Sequence, residues 1–259
     1  MPTPILVVDA FATGPFTGNP AGVCLLEGPA QEPWMQSVAS EMKHAETAFV
    51  YPLVDGGFSL RWFTPTTEVD LCGHATLASA HALWSTGRLA TTQVAHFQTR
   101  SGLLTATKSE HIELDFPLEG PQAAQLPHPI PGLDPIWTGR NRMDWIVEVA
   151  DEAEVRSFVP DFQNISSLGL RGLQVTARSP GEFDFVSRFF APQSGVDEDP
   201  VTGSAHCCLG PYWGAKLRKS SLKAFQASSR GGVVGIRLTP ERAILLGDAV
   251  TVLEGVLYC

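Results

Sequence analysis

Short apolar runs bounded by turn-forming residues recur along the whole chain. Runs rich in β-branched and aromatic side chains are typical of strands, and the first half holds ILVVDAF, AGVCLL, TAFVY, FSLRWFT, LLTATK and IELDFP. Between them, PWMQSVASEMK has apolar residues at helical spacing, and the Ala- and Leu-rich GHATLASAHALWS predicts a second helix. The pattern predicts an α+β fold.

A proline-rich stretch interrupts this pattern near the middle of the chain. The segment LEGPQAAQLPHPIPGLDP, residues 118–135, contains five prolines and no sustained periodicity, which predicts an interdomain linker. Beyond it come strand-like runs such as GLQVTA, FDFVSRFFA, VVGIRL and VTVLEG, with helix candidates at DEAEVRSFV and from Gly203. We therefore expect two domains, 1–117 and 136–259, with a last strand able to return to the first domain.

The second half repeats a signature of the first half. LRWFTPTTEVDLCGHATLASAHALW and VSRFFAPQSGVDEDPVTGSAHCCLGPYW share Arg-x-Phe-x-Pro, then acids, then a Gly-containing step into a small-residue helix. In the first copy that step is Cys72-Gly73-His74-Ala75, and in the second it is Thr202-Gly203-Ser204-Ala205. The repeat predicts a duplicated, pseudo-symmetric protein with a cleft between its halves.

The composition of the chain indicates which kind of ligand it binds and in which compartment we expect it. The chain has 259 residues, of which 44% are hydrophobic, and a formal net charge of -9, which repels nucleic-acid phosphates. No stretch approaches the ~20 apolar residues that span a bilayer, and MPTPILVVDAF lacks the features of a signal peptide. We therefore expect a cytoplasmic protein that binds a small molecule rather than nucleic acid or a membrane.

The cysteines point to neither a disulfide framework nor a zinc site. They are odd in number and show no CxxC spacing, so we expect reduced and mostly buried thiols. The five positions are Cys24, Cys72, Cys207, Cys208 and Cys259.

The two Gly-containing turns have the features of an anion site. A helix N-terminus offers unpaired backbone N–H groups and the positive end of the helix dipole. If the copies face each other, the amides near Gly73 and Gly203 converge on one ligand, for which a small carboxylate is suited. The alternative is that both glycines only make tight turns and that Thr202 or Ser204 caps its helix.

Three acids precede the second turn, and only one of them is expected to act on a ligand. Pro200 favours an extended Asp199, which would hold that carboxylate in a fixed direction, so we assign Asp199 to the site. Asp197 and Glu198 are expected to be solvated or to favour the helix N-terminus.

Two further residues are candidates for acid–base chemistry. His74 stands at a helix start, where its imidazole can exchange hydrogen bonds with a ligand, although it can equally be a packed turn residue. His81 lies one heptad later on the same predicted helix, but no carboxylate or cysteine stands at an i+3 or i+4 position to complete a metal site, so no metal is expected. Glu46 lies between Ala45 and Ala48 at a strand start, and is either a general base in apolar surroundings or a residue of the strand's wet face.

Several motifs together resemble one known family. VDAFATGPFTGNPAGV, AETAFV, FTPTTEVDLCGHATLASA, RFFAPQSGVDEDPVTGSAH and QASSRGG occur in order at 8–23, 45–50, 63–80, 188–206 and 226–232. The chain resembles the PhzF-like phenazine-biosynthesis isomerases from end to end. The resemblance implies a diaminopimelate epimerase-like fold, in which two pseudo-symmetric α+β domains each wrap a curved, mostly antiparallel sheet around a central helix.

The resemblance also implies roles for individual residues. Glu46 would be the acid/base that moves a proton from one carbon to another, with His74, Asp199 and Ser204 around the reacting group. The other implied contacts are to the ligand carboxylate or its surroundings, from Asn19, the amides of Gly73 and Gly203, Cys72 and Thr202. No metal or organic cofactor is implied, and family members are often homodimers, which becomes an expectation for this chain.

One substitution bears on mechanism. The related epimerases and racemases oppose two cysteines, one on each turn, whereas this chain has Cys72 on the first turn and Thr202 on the second. A threonine hydroxyl is too weak an acid to replace a thiolate, which disfavours a cysteine-pair mechanism. The phenazine enzymes also tend to read Gly-His-Pro-Thr where this chain has Gly73-His74-Ala75-Thr76, so phenazine synthesis is not implied.

Three functions follow from these residues. The leading one is a cofactor-independent isomerase that shuttles a proton within a small cyclic or unsaturated carboxylic acid. The second is a one-base epimerase or racemase of an amino acid derivative. The third is a non-catalytic protein that binds small carboxylates.

Overall fold

The computed structural model describes residues 2–258, and the chain forms two compact units. One unit runs to Asp115 and takes up the chain again from Leu246, and the other unit spans Phe116–Leu245. The elements of the first part of the chain are β1 Thr3–Ala10, β2 Asn19–Leu25, α1 Glu32–Met42, β3 Glu46–Pro52, β4 Phe58–Phe63, β5 Glu68–Val69, α2 Gly73–Ser85, β6 Ala95–Thr99, β7 Gly102–Lys108 and β8 Ile112–Pro117.

The rest of the described chain repeats this alternation. Its elements are β9 Gln122–Ala123, β10 Trp137–Arg140, β11 Asp144–Glu148, α3 Glu152–Ser157, α4 Phe162–Ser166, β12 Gly172–Arg178, β13 Phe185–Ala191, a 3-10 turn Pro192–Ser194, β14 Val196–Asp199, α5 Gly203–Leu217, β15 Ser221–Gln226, β16 Gly232–Leu238, β17 Arg242–Gly247 and β18 Ala249–Leu257. The helices predicted to begin at Gly73 and Gly203 are confirmed.

The two units share one order of strand pairing. In the first, β1 pairs antiparallel with β2, β2 parallel with β3, β3 antiparallel with β4, β4 parallel with β6, and β6 antiparallel with β7. In the second, β10, β11, β12, β13, β15 and β16 pair in that order with those orientations. The duplication read from the sequence is therefore a duplication of topology.

Each unit encloses one helix that is buried on nearly all sides. In α2 every residue from His74 to Ala80 is buried, and the helix lies against β1, β2 and β3. In α5 the run from Ala205 to Gly210 is buried, and the helix packs on β15 and β16. Small residues dominate both helices because a helix surrounded by sheet must let the strands approach closely.

The shorter helices cover the other side of each sheet. Helix α1 packs its Met35, Val38 and Ala39 into a cluster with Phe49 and Phe63. In the second unit, α3 and α4 take the corresponding place in the chain, between β11 and β12, and add Val155 and Ile165 to a separate core cluster.

The Arg-x-Phe-x-Pro repeat makes the same contact in both units. Arg61 donates to Glu68 with Nε–Oε1 and Nη2–Oε2 distances of 2.6 Å, bridging β4 to β5. Arg188 donates to Glu198 at 2.7 and 2.9 Å, bridging β13 to β14. Glu198 therefore forms an ion pair and does not cap the helix as expected, whereas Asp197 is exposed.

The first unit breaks off at Asp115, close to the predicted end at residue 117, but the segment predicted to be a linker is not separate from the second unit. Residues 118–135 belong to the second unit, where they form β9 and bury Ile130 in the core cluster with Trp145 and Phe158. The prolines interrupt the hydrophobic periodicity of this segment but do not prevent it from packing against the core. Its composition alone therefore resembles that of a linker.

Strand β18 pairs antiparallel with β1 in the first unit. Among the described helices, none has both the length and the apolar character needed to cross a bilayer.

Candidate active site

The first unit gathers Asn19, Glu46 and His74 at the starts of three elements. Asn19 begins β2, Glu46 begins β3, and His74 is the second residue of α2. Because β2 and β3 run parallel with Ala21 opposite Glu46, both strands begin at the same edge of the sheet. Glu46 therefore lies at a strand end beside the helix start and not on an exposed strand face.

Hydrogen-bond direction fixes the state of His74. Asn19 Nδ2 lies 3.2 Å from His74 Nδ1, and an amide NH₂ group only donates, so Nδ1 is the acceptor. The neutral imidazole then carries its proton on Nε2, which lies 3.3 Å from Glu46 Oε2. His74 thus donates to the Glu46 carboxylate.

Burial keeps this imidazole neutral. His74 is 4% exposed, and desolvation lowers its pKa to about 3, with a smaller contribution from His44. The unperturbed pKa of histidine is about 6.5, so His74 stays uncharged throughout the neutral range. It acts as a fixed hydrogen-bond donor to Glu46 rather than as a titrating acid.

The loop before Asn19 is held by its own contacts. The buried Asp9 carboxylate accepts from the Phe16 backbone N–H at 2.8 Å. Gly18 has φ +70, and a Cβ there would lie 2.3 Å from the Ala10 carbonyl oxygen, so only glycine fits. These two features explain why the motif has Asp9 in VDAF and Gly18 in TGN, because both residues hold the loop that leads to Asn19.

Glu46, Cys72 and His74 also form a possible donor set for a metal ion. Their ligand atoms lie within 4.8 Å of one another. However, Cys72 Sγ lies nearer to His74 Nδ1, at 3.5 Å, than to Nε2, at 4.0 Å, whereas Glu46 lies at Nε2. A metal ion binds one ring nitrogen along its lone pair. A single ion on His74 could therefore also bind both Cys72 and Glu46 only after a side chain rotates. The arrangement fits a hydrogen-bonded histidine better than a metal centre.

In the second unit, Asp199 is oriented by a chain of hydrogen bonds. Thr202 Oγ1 donates to Asp199 Oδ2 at 2.5 Å. Gln226, fully buried, donates from Nε2 to Thr202 Oγ1 at 3.2 Å and to the Asp199 carbonyl at 2.7 Å, and accepts from the Thr202 N–H at 2.8 Å. Thr202 is the N-cap residue of α5, but its hydroxyl serves Asp199 and does not cap the helix.

Ser204, one residue past the helix start, contacts a charged pair. Arg171 Nη2 donates to Ser204 Oγ at 2.9 Å. The same guanidinium makes a bidentate pair with Asp144, with distances of 2.8 and 2.6 Å, and Asp144 is fully buried. Gln174 Nε2 adds a third bond to Asp144 at 3.0 Å.

Each unit thus collects the residues that the sequence assigned to it. Asn19, Glu46, Cys72, Gly73 and His74 lie together in the first unit. Asp199, Thr202, Gly203 and Ser204 lie together in the second.

Three contributors were absent from the sequence-based site, namely Arg171, Asp144 and Gln226. Gln226 is the first residue of the QASSRGG motif. The sequence alone assigned that motif no role, so its presence was a signal from which a contribution to the site could have been predicted. Arg171 and Asp144 carry no motif and emerge only from strand pairing.

The described cysteines are buried thiols, as expected, and Cys259 lies outside the described residues. Desolvation, followed by Glu119, raises the pKa of Cys207 to about 12. Desolvation, followed by Asp144, also raises the pKa of Cys208. Both thiols stay protonated at neutral pH, so neither is a nucleophile.

Known proteins similar to this chain cover its whole length. The sequence profile of the phenazine biosynthesis-like protein family matches residues 8–255. An uncharacterized isomerase of Halalkalibacterium halodurans is 53% identical over 260 residues, which is 98% of each chain. A PhzF-family phenazine biosynthesis protein from Enterococcus faecalis superposes over 100% of both chains with a TM-score of 0.94 and 40% identity.

A more distant likeness concerns the fold alone. A hydroxyproline epimerase from Agrobacterium vitis, solved with bound trans-4-hydroxy-L-proline, has a TM-score of 0.65 at 11% identity. The match covers 99% of this chain and 92% of that one. The predicted epimerase-like fold class is confirmed.

Proposed function

Because this chain belongs to the phenazine biosynthesis-like (PhzF) family of isomerases, we propose that it shuttles a proton within a small cyclic or unsaturated carboxylic acid, with Glu46 as the acid/base. The observation that carries the proposal is the contact between His74 Nε2 and Glu46 Oε2. A neutral donor of fixed direction holds the carboxylate in place without adding a charge that titrates near neutral pH.

The proposed step balances without an external reagent. Glu46 takes a proton from an sp³ carbon, and the electrons of that C–H bond form a new double bond. The existing double bond shifts along the conjugated system, and its far carbon takes the proton back from Glu46. No atom is oxidised or reduced overall, and the carboxylate ends the cycle as it began.

The contacts of the second turn support this reaction over inversion by two bases. In the related cysteine-pair enzymes, inversion uses one acid/base on each of the two turns, and the second turn of this chain has Thr202 at that position. The Thr202 hydroxyl proton is donated to Asp199 Oδ2. A hydroxyl is also too weak an acid or base to transfer a proton to or from carbon. Proton transfer by one carboxylate has no such requirement.

The test is a deuterium-transfer experiment with a panel of small cyclic and conjugated carboxylic acids. Each acid carries deuterium at the candidate carbon, is incubated with the protein in H₂O, and is followed by NMR. We expect an acid whose double bond moves and whose product retains deuterium at the new carbon.

Glu46→Gln should lower that rate by about 10²–10⁴-fold, because general acid–base catalysis contributes about that much. Glu41→Gln, on the exposed side of α1, is the matched control and should keep the rate. Full activity in Glu46→Gln would refute the proposal. So would exchange with solvent at the original carbon without migration, which is the signature of epimerisation, or binding without any exchange.

A further inference from the structure

We propose that Arg171, anchored by Asp144, is a positioning residue that makes the Ser204 hydroxyl a hydrogen-bond donor and thereby selects a carboxylate oxygen of the substrate. The inference rests on the proposed function for its substrate class, but it concerns recognition and not proton transfer. It is therefore testable by binding alone.

Strand pairing brings the charged pair together. Strands β11 and β12 run parallel with Asp144 opposite Gly172, so Asp144 and the preceding Arg171 meet at the starts of the two strands. The Arg171 backbone N–H also donates to the Met143 carbonyl at 2.8 Å, which continues the pairing one residue further. Both side chains leave the sheet at the same edge.

The guanidinium is held on several sides. Its bidentate pair with Asp144 fixes the plane of the group, and the Gln174 amide donates to the same Asp144 oxygen, Oδ2, as Arg171 Nη2 does. The Phe189 ring lies 5.2 Å from the guanidinium carbon. A Cβ at Gly172 would lie 2.7 Å from that ring, so glycine is what lets the ring approach. A fully buried carboxylate without a cation would be costly, which explains why the pair is so completely bonded.

The direction of the hydrogen bond between Arg171 and Ser204 determines whether a ligand must supply a donor or an acceptor to Ser204. A guanidinium only donates, so Ser204 Oγ accepts from Arg171. A serine hydroxyl has one proton, which must then point away from the guanidinium. The half-buried Ser204 thus presents a donor, strengthened because its oxygen is bonded to a cation. A carboxylate oxygen accepts such a bond, and an ammonium group does not.

The test uses benzoate and its uncharged isostere benzamide as probes, with affinities measured by calorimetry on the full chain. Wild type should bind benzoate more tightly than benzamide. Arg171→Met should weaken benzoate by about tenfold, in keeping with the loss of a bond strengthened by charge, and should weaken benzamide less, because its uncharged carbonyl oxygen accepts a weaker bond.

Three further variants separate positioning from a merely structural role. Arg171→Lys should lie between wild type and Arg171→Met, and added guanidinium ion should restore benzoate binding to Arg171→Met. Ser204→Ala, which keeps the Arg171–Asp144 pair and therefore the fold, should lose the benzoate preference, and adding Arg171→Met should cause no further loss. Arg142→Met, an exposed arginine paired with Glu119, is the control and should bind as wild type does.

Equal affinity of wild type for the two probes would overturn the inference, as would an Arg171→Met loss shared equally by both. These outcomes are distinct from failure of the proposed function. Benzoate binding does not involve proton transfer, so a benzoate preference without any deuterium transfer would refute the proton shuttle alone. Deuterium transfer that depends on Glu46 without a benzoate preference would refute only the role of Arg171.

Discussion

Thr202 shows how one side chain decides between two chemistries at the same place in a fold. It matches Cys72 in the internal repeat, yet its hydroxyl is part of a directed chain from Gln226 through Thr202 to Asp199. Cys72, by contrast, contacts His74. The two turns are alike in backbone but differ in role, because one holds the imidazole that supports Glu46 and the other orients a carboxylate.

Thr202→Val should separate the hydroxyl from the volume of the side chain. Valine keeps the shape but removes the bond to Asp199, so we expect the free energy of unfolding to fall by about 1–3 kcal/mol, the cost of losing a bond to a charged group. Deuterium transfer should also slow by at least about tenfold, because a group displaced at the reacting centre lowers the rate. Urea unfolding and the transfer assay measure the two effects.

The matched variant for this test is Thr202→Ser, which retains the hydroxyl. It should transfer deuterium close to the wild-type rate. A valine variant as active as the serine variant would show that the Thr202–Asp199 bond has no part in catalysis.

At the scale of elements, the conspicuous feature is the pair of arginine–glutamate braces. Arg61–Glu68 and Arg188–Glu198 each tie a long strand to the short strand that leads into a central helix. Each arginine also lies over a phenylalanine two residues along its own strand, Phe63 and Phe190, at 5.2 and 4.9 Å. The brace fixes the approach to the turn that carries the site residues.

Glu198→Gln should therefore destabilise the protein, because Arg188 would keep its charge in a mostly buried position. The Arg188 and Glu198 side chains are 11% and 22% exposed, so we expect a loss of about 1–3 kcal/mol, below the cost for a fully buried pair. Denaturant unfolding measures it.

Asp197→Asn is the internal control for that experiment. It changes a neighbouring acid that is exposed, and a surface charge of this kind should alter stability by less than about 0.5 kcal/mol. If both variants lose the same stability, the destabilisation comes from local charge and not from the brace.

At the scale of the whole molecule, buried histidines link stability to pH. Desolvation lowers the pKa of His74 to about 3 and that of His206 to about 4. In the unfolded chain both titrate near about 6.5. Between these values the unfolded state binds protons that the folded state does not, so stability must decrease as the pH falls through this window.

We expect each of these histidines to lower the free energy of unfolding by about 1.4 kcal/mol per pH unit once the pH is well below 6.5. Urea unfolding at about pH 7.5 and about pH 5 measures the slope. His206→Gln, whose amide can still donate to the Thr202 carbonyl as His206 Nδ1 does, should make the slope shallower. His96→Gln, an exposed histidine, should leave it unchanged, and an unchanged slope in His206→Gln would contradict the argument.

Local patterns predicted much of this architecture. The strands, the helix starts at Gly73 and Gly203 and the repeat are confirmed because they depend on periodicity and turn chemistry within short windows. Residues 118–135 were predicted to be a linker but belong to the second unit, since a proline-rich stretch has the same composition whether or not it packs against a core. The partner of Glu198 was also missed, although the repeat already aligned Arg188 with Arg61.

By itself, then, the sequence determined the family, the duplicated fold and the residues that each turn presents. Only the tertiary structure decided how those residues are held. Asn19 sets the His74 tautomer from 55 positions away, Gln226 reaches Thr202 across 24, and Arg171 reaches Ser204 across 33. Such contacts depend on strand register and on which side chains the packed sheet brings together. No local window of sequence encodes either one.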